Sequence, residues 1–143
     1  MQNIPVRTEL GSNLRRFFKA RPGYLLVDAD YSQIELRVLA HIADDPIMKR
    51  AFLEGEDIHT VTASQVFGVP PEQVTHEMRR RAKAVNFGIV YGISAYSLSQ
   101  DIGVTVAEAK DYMEAYFASF PGVKAYMEAV VAKARENGYV ETL

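Results

Sequence analysis

The sequence contains no cysteine, and its three histidines, His41, His59 and His76, stand far apart along 143 residues. This removes any disulfide framework, thiolate nucleophile or recognisable zinc spacing, so a metal bound here must be held by oxygen. No apolar run approaches the length of a membrane span, and Met1 to Arg7 lack the apolar centre of a signal peptide. The expectation is a cytoplasmic protein with no membrane partner. A phosphate loop of the Gly-x4-Gly-Lys-Ser/Thr type is also missing, which argues against an ATPase. Repeats and low-complexity linkers are absent. What remains, with 48% hydrophobic residues and a net charge of −2, has the composition of one globular domain.

A net charge of −2 argues weakly against a nucleic-acid partner, but the distribution matters more than the sum. Residues 1–27 carry five basic and one acidic side chain, residues 28–57 three and eight, residues 58–100 four and two, and residues 101–143 four and seven. Such zones suit an anionic polymer and a phosphorylated substrate gathered around metal ions, and they also suit an ordinary mixed surface.

The most ordered spacing runs from Arg79 to Gly92. On a helix Asn86, Arg79, Lys83, Phe87 and Tyr91 fall within about 140° of arc and climb about 18 Å, cations low and rings high. Met78, Ala82, Val85, Ile89 and Ile93 form the opposing apolar stripe that docks the helix. A basic stripe alone is also what a solvated helix face looks like. Two large rings in register, and two glycines that each cost about 1 kcal/mol of helix stability, suggest a face that something approaches closely at Gly88 and Gly92.

The fold class read from the pattern is α/β and predominantly helical. Tyr24 to Tyr31 alternates as a strand, with Leu26, Asp28 and Asp30 on one face. Ser32-Gln33-Ile34-Glu35 fits a capping box for a helix whose stripe is Ile34, Val38, Leu39 and Ile42. Asp45 and Asp57 are expected to cap two further helices, the second stopping at Gly68. After the Arg79 helix, a short helix ends near Gly103 and a longer one opens at the Thr105–Glu108 capping box. Tyr112, Met113, Tyr116, Phe117 and Phe120 are spaced for core packing. Pro121-Gly122 breaks the chain, a last helix from about Val123 stops near Asn137-Gly138, and Tyr139 to Leu143 begins an extended stretch. Asp30, at the exit of an apolar strand, can hold a divalent cation or simply cap the next helix, and Glu35 has a plain capping role.

Asp30-Tyr31-Ser32-Gln33-Ile34-Glu35-Leu36-Arg37, taken with Arg79 to Gly92, resembles two hallmark motifs of A-family DNA polymerases. Gln2 to Thr8, Asp57-Ile58-His59-Thr60 and Gly138 to Leu143 resemble that family in the same order, so essentially the whole chain is covered. The resemblance implies a partial right-hand polymerase fold, with a palm strand segment over 1–36 and helical fingers over 37–143. It implies template-directed DNA synthesis in replication and repair, with primer-template DNA and deoxynucleoside triphosphates as partners and two Mg²⁺ ions as cofactors, in a bacterial, monomeric parent enzyme. In two-metal phosphoryl transfer the ions lower the pKa of the primer 3′-hydroxyl and stabilise the leaving pyrophosphate.

Carried over residue by residue, Asp30 resembles the first catalytic, metal-binding aspartate, with the Tyr31 carbonyl beside it. Arg79 and Lys83, the latter counted with Asp30 as catalytic, resemble the cations that hold the triphosphate, with His59 donating to it. Phe87 resembles the ring stacked near sugar and base, and Tyr91 lies on the template side. Glu35 would hydrogen-bond Tyr91 and exclude a ribose 2′-hydroxyl, which opposes a related RNA polymerase. Gln2, Asn3 and Arg7, together with Gly88 and Tyr91, resemble DNA-contacting positions. The family's second catalytic carboxylate, in a His-Asp-Glu run, is missing, so the expectation is a fragment inactive alone. The competing reading is a non-catalytic nucleic-acid or nucleotide-binding module.

Overall fold

A computed structural model describes residues 9–141 and divides into two compact units, residues 1–32 and 33–143. The first contains α1 (Glu9–Leu14) and a 3-10 turn (Arg15–Phe17). The Tyr24 backbone N–H donates back to the Arg21 carbonyl, and the Arg21 guanidinium lies 3.7 Å over the Tyr24 ring. The strand expected over Tyr24 to Tyr31 is not formed, and no strand occurs among the described residues. An alternating sequence supplies a surface, but a strand also needs a neighbour to take its N–H and C=O groups, and none of the described residues offers a ladder. Leu25, Val27 and Tyr31 are accordingly exposed.

The second unit is helical: α2 (Ile34–Ile42), α3 (Pro46–Leu53), α4 (Ile58–Phe67), a 3-10 turn (Pro71–Gln73), α5 (His76–Val90), α6 (Ala95–Ile102), α7 (Val106–Ser119) and α8 (Pro121–Asn137). Most ends follow local chemistry. Asp57 caps α4, and Gly68 ends it in the left-handed region. Thr105 and Glu108 form the reciprocal capping box of α7, the Glu108 backbone N–H donating to Thr105 Oγ1 at 3.2 Å and the Thr105 backbone N–H to Glu108 Oε2 at 2.9 Å. Gly103 and Gly138 stop α6 and α8. The break at Pro121 is sharper than expected: Pro121 itself opens α8, since its fixed φ and missing N–H suit a first helical position.

The α2 entrance departs from expectation. Gln33, not Ser32, is the cap residue, at φ 53°, and its own side chain makes no capping bond. The helix begins one residue later than a Ser32 capping box requires, and Glu35 falls in its first turn. Its buried face is Leu36, Leu39 and Ala40, whereas Ile34 is exposed and Val38 and Ile42 are only partly covered. On the α2 wheel Glu35 on one side and Arg37 and His41 on the other separate Leu36, Leu39 and Ala40 from Ile34, Val38 and Ile42, and the first set is the one turned inward.

The core joins Leu36, Met48, Ile58, Val85, Leu98, Tyr116, Phe120 and Val123, all fully or almost fully buried; each such side chain contributes about 1.5–3 kcal/mol by leaving water. Tyr116 and Phe120 are the expected core rings, with Tyr112, Met113 and Phe117 packed around them. Burial and the nearby Asp45 charge push the Tyr116 phenol well above its usual pKa, and its hydroxyl has no hydrogen-bond partner among the described residues.

Asp45 is fully buried. Its Oδ1 accepts from the backbone N–H groups of Ile47 and Met48 at 3.1 and 3.0 Å, capping α3, while Oδ2 accepts from the Gly122 backbone N–H at 2.9 Å in the first turn of α8. One carboxylate thus satisfies orphan donors of two helices and faces two positive dipole ends, which compensates for its desolvation. The closeness requires Gly122: a Cβ there would lie 2.8 Å from Asp45 Cα and 2.9 Å from the Ala43 carbonyl oxygen. No helix among the described residues is long and apolar enough to cross a membrane. Gly122→Ala should lower unfolding free energy by about 1–3 kcal/mol, because backbone rather than a flexible side chain must move; denaturant titration measures it.

Candidate nucleotide site

α4 and α5 pack extensively against each other, and their sequences explain the rotation. Ala82, Val85 and Ile89 of α5 are buried, as the apolar stripe predicts, which leaves Lys83 in water and Arg79 and Phe87 half-buried at the edge of the contact. Asn86 is the exception. Instead of lying on the open face with the cations, it is fully buried against α4. Its Oδ1 accepts from Thr62 Oγ1 at 3.1 Å, and its Nδ2 lies 3.1 Å from His59 Nδ1. An apolar stripe sized from residue types alone omits a side chain that reaches the core because polar partners await it there.

His59, in the first turn of α4, is buried by the same packing, and the Phe87 ring lies 5.8 Å from it at a tilt of 47°. Burial lowers the pKa of this imidazole, Asp57 opposes that, and Arg79 and Lys83 reinforce it. The ring is therefore held neutral beside two cations.

Arg79 is already engaged. Its Nε donates to Asp57 Oδ2 at 2.6 Å and its Nη2 to Asp57 Oδ1 at 3.2 Å, a bidentate pair across α4 and α5. Thr60 Oγ1 also donates to Asp57 Oδ2 at 2.6 Å. For Asp57, burial raises the pKa, but the Arg79 and Thr60 bonds, the Arg79 charge and the His59 backbone N–H outweigh it and bring the carboxyl down to about 2. Arg80 and Arg81 both bind Glu77, and Arg81 also reaches the Tyr112 hydroxyl. Of the arginines and lysine of α5, only Lys83 forms no ion pair among the described residues, and it is exposed.

The glycines near the end of α5 have separate reasons. Ile93 occupies the space over Gly88, where a Cβ would meet its Cγ2 at 2.6 Å, so the close approach expected there is made by the chain itself. Gly92 has φ +68° with open space around it, a turn requirement rather than a contact. α5 stops at Val90, which leaves Tyr91 as its exposed cap residue and Ile93 beyond the helix. Glu35 is exposed, and the hydrogen bond expected between it and Tyr91 is not formed.

His59, Arg79, Lys83 and Phe87 are thus brought together at one edge of the α4–α5 pair. Asp30 and Tyr31 are exposed residues of the first unit. Gln2, Asn3 and Arg7 lie outside the described residues. Sequence reasoning treated Asp57 as a cap only and missed its pairing with Arg79. It did not single out Thr62, although Thr62 follows His59 by three residues and so shares its helix face.

The family model for DNA polymerase family A matches residues 1–143. The chain is 55% identical over its whole length to DNA polymerase I of Rhizobium leguminosarum, of which it covers 14%, and 57% identical to the thermostable DNA polymerase I of Thermus thermophilus, of which it covers 17%. It therefore spans only about a sixth of the length of such relatives. Among solved structures, the POL domain of Pol1 from M. smegmatis in complex with DNA primer-template and dNTP superposes with a TM-score of 0.86 at 46% identity, with 100% of this chain and 25% of that one covered.

The Asp57–Arg79 pair has a pH signature. A carboxyl at about 2 when folded, against 3.8 ordinarily, contributes stability that is present above pH 3.8 and lost as pH falls toward 2. Asp57→Asn keeps a capping side chain but loses the charge. Because 34% of the Asp57 side chain remains exposed to screening water, the expected loss at pH 7 is about 1 kcal/mol. Stability measured between pH 4 and 2 should fall less steeply in the variant than in the parent.

Proposed function

Because this chain belongs to DNA polymerase family A, we propose that it forms the incoming-nucleotide pocket of an enzyme that extends a DNA primer along a template, with residues 1–36 as palm segment and 37–143 as fingers. The observation that carries the reading is the edge of α5: an unpaired Lys83, a guanidinium, a neutral imidazole and an aromatic ring stand together on two packed helices. Phosphate oxygens accept hydrogen bonds only, and that edge offers donors of three kinds. Lys83 supplies a point charge and Arg79 a planar fork. His59 supplies an N–H without adding charge, and the Phe87 ring gives sugar and base an apolar wall.

The remaining roles follow the same reading. Glu35 excludes a ribose 2′-hydroxyl. Tyr91, the exposed cap residue of α5, is assigned to the template side, and Gln2, Asn3 and Arg7 are assigned to the primer-template backbone, gripped without reading sequence. Asp30 and the Tyr31 carbonyl offer hard oxygens suited to Mg²⁺, which takes about six in octahedral geometry. No group of three His, Cys, Asp or Glu side chains converges among the described residues, so the donors present do not compose a two-ion centre. The residues of this chain are assigned binding and orientation of the triphosphate.

Lys83→Ala in the full-length protein carrying this chain tests the reading. The KM for a deoxynucleoside triphosphate should rise, or single-turnover incorporation should fall, by about tenfold or more, with duplex affinity changed by less than about threefold. Equal losses in nucleotide use and duplex binding, with a steep salt dependence, would instead identify a generic nucleic-acid-binding surface.

A further inference from the structure

Asn86 and Thr62 have no part in the pocket just described, although both are fully buried polar side chains next to it. Their hydrogen bonds run in one direction. Thr62 Oγ1 donates to Asn86 Oδ1, and the Asn86 amide nitrogen, which can only donate, faces His59 Nδ1. A nitrogen that accepts a hydrogen bond carries no proton. Since burial and the Arg79 and Lys83 charges keep the imidazole neutral against the pull of Asp57, its single proton must sit on the other ring nitrogen.

We propose that Asn86, oriented by Thr62, is a positioning residue that holds His59 as the Nε2–H tautomer, so that the imidazole meets a triphosphate oxygen as a neutral donor. The inference rests on the nucleotide-pocket reading above. The opposite tautomer would turn a lone pair toward an anionic oxygen, replacing an attraction with a repulsion. A reversed amide would select that tautomer: Asn86 Oδ1 would take a proton from Nδ1, and the Thr62 hydroxyl would become an acceptor and lose Oδ1 as the acceptor of its own proton. The Thr62 bond therefore gives the amide, and through it the ring, a direction. A core-filling role would need none of this polarity, since leucine fills a similar volume.

The test uses the full-length protein. Nitrogen-15 spectroscopy of labelled histidine, with His59→Ala used to assign the signal, should show Nδ1 unprotonated and Nε2 protonated in the parent. A proton on Nδ1 would overturn the assignment whatever any variant does. Asn86→Asp, which can only accept, should move the proton onto Nδ1, as a second spectral readout. Kinetically, Asn86→Leu should raise the nucleotide KM by roughly tenfold with kcat changed less than threefold, and Thr62→Val should act in the same direction but less. In a His59→Ala background Asn86→Leu should add less than about twofold, because its effect passes through the ring. Equal losses in both backgrounds would mean a merely structural role and defeat the proposal. An unchanged nucleotide KM in His59→Ala alone would remove the nucleotide role on which the proposal rests, an outcome separate from the spectroscopic one.

Discussion

A helix that keeps cations in water and an amide in the core has only one rotation in which to dock, and α5 is under that constraint. If it turned by one residue, about 100°, the Asn86 amide would leave its two partners while charged side chains moved toward the apolar surface of α4. Both losses are expensive, since a buried polar group left unpaired costs about 1–3 kcal/mol and a buried charge costs more. Hydrophobic burial of Ala82, Val85 and Ile89 provides most of the attraction, but it is tolerant of small rotations. The polar bonds are directional, so they fix the angle at which Arg79, Lys83 and Phe87 emerge.

A similar division of labour appears at Asp45. Tyr116, Phe120, Met48 and Val123 bury the larger area, while one carboxylate sets how α3 and α8 meet by accepting N–H groups from both. Its tolerance is low because Gly122 leaves no space for a side chain. In both places directional polar bonds define geometry that apolar packing alone would leave loose.

Sequence made legible what short-range chemistry decides. Asp45, Asp57 and Thr105 each cap the helix that follows them, and the glycines at 68, 103 and 138 end helices as left-handed residues. The local pattern at Ser32 to Glu35 resembles those caps, yet α2 starts one residue later, with Gln33 as its cap residue and Leu36 turned into the core. The stretch from Tyr24 to Tyr31 fails for a different reason: a strand is a property of two segments, and alternation describes one. His59, Arg79, Lys83 and Phe87 could be placed on a shared surface from helical spacing and motif resemblance together. Asn86 could not, since its position on the α5 wheel is at the margin of both faces and only Thr62 and His59, 24 and 27 residues away, decide between them.

The Asp57–Arg79 pair shapes how such a site meets an anion. Arg79 has two of its N–H groups on Asp57, so a phosphate must share the guanidinium or displace the carboxylate, whereas Lys83 has no ion-pair partner among the described residues to give up. The two cations therefore differ in more than side-chain shape. Lys83 offers its full attraction to any anion that arrives; Arg79 contributes only the difference between phosphate and Asp57. An exchange of one anionic partner for another is nearly balanced, so the guanidinium stays ordered before and after, which saves the entropy of freezing a long side chain at binding. Asp57 would not be left bare by the exchange, since the Thr60 hydroxyl and the His59 backbone N–H remain on it. That partial satisfaction is what permits Arg79 to move at a modest cost, and it places the carboxylate that restrains Arg79 at the start of the same helix that carries His59.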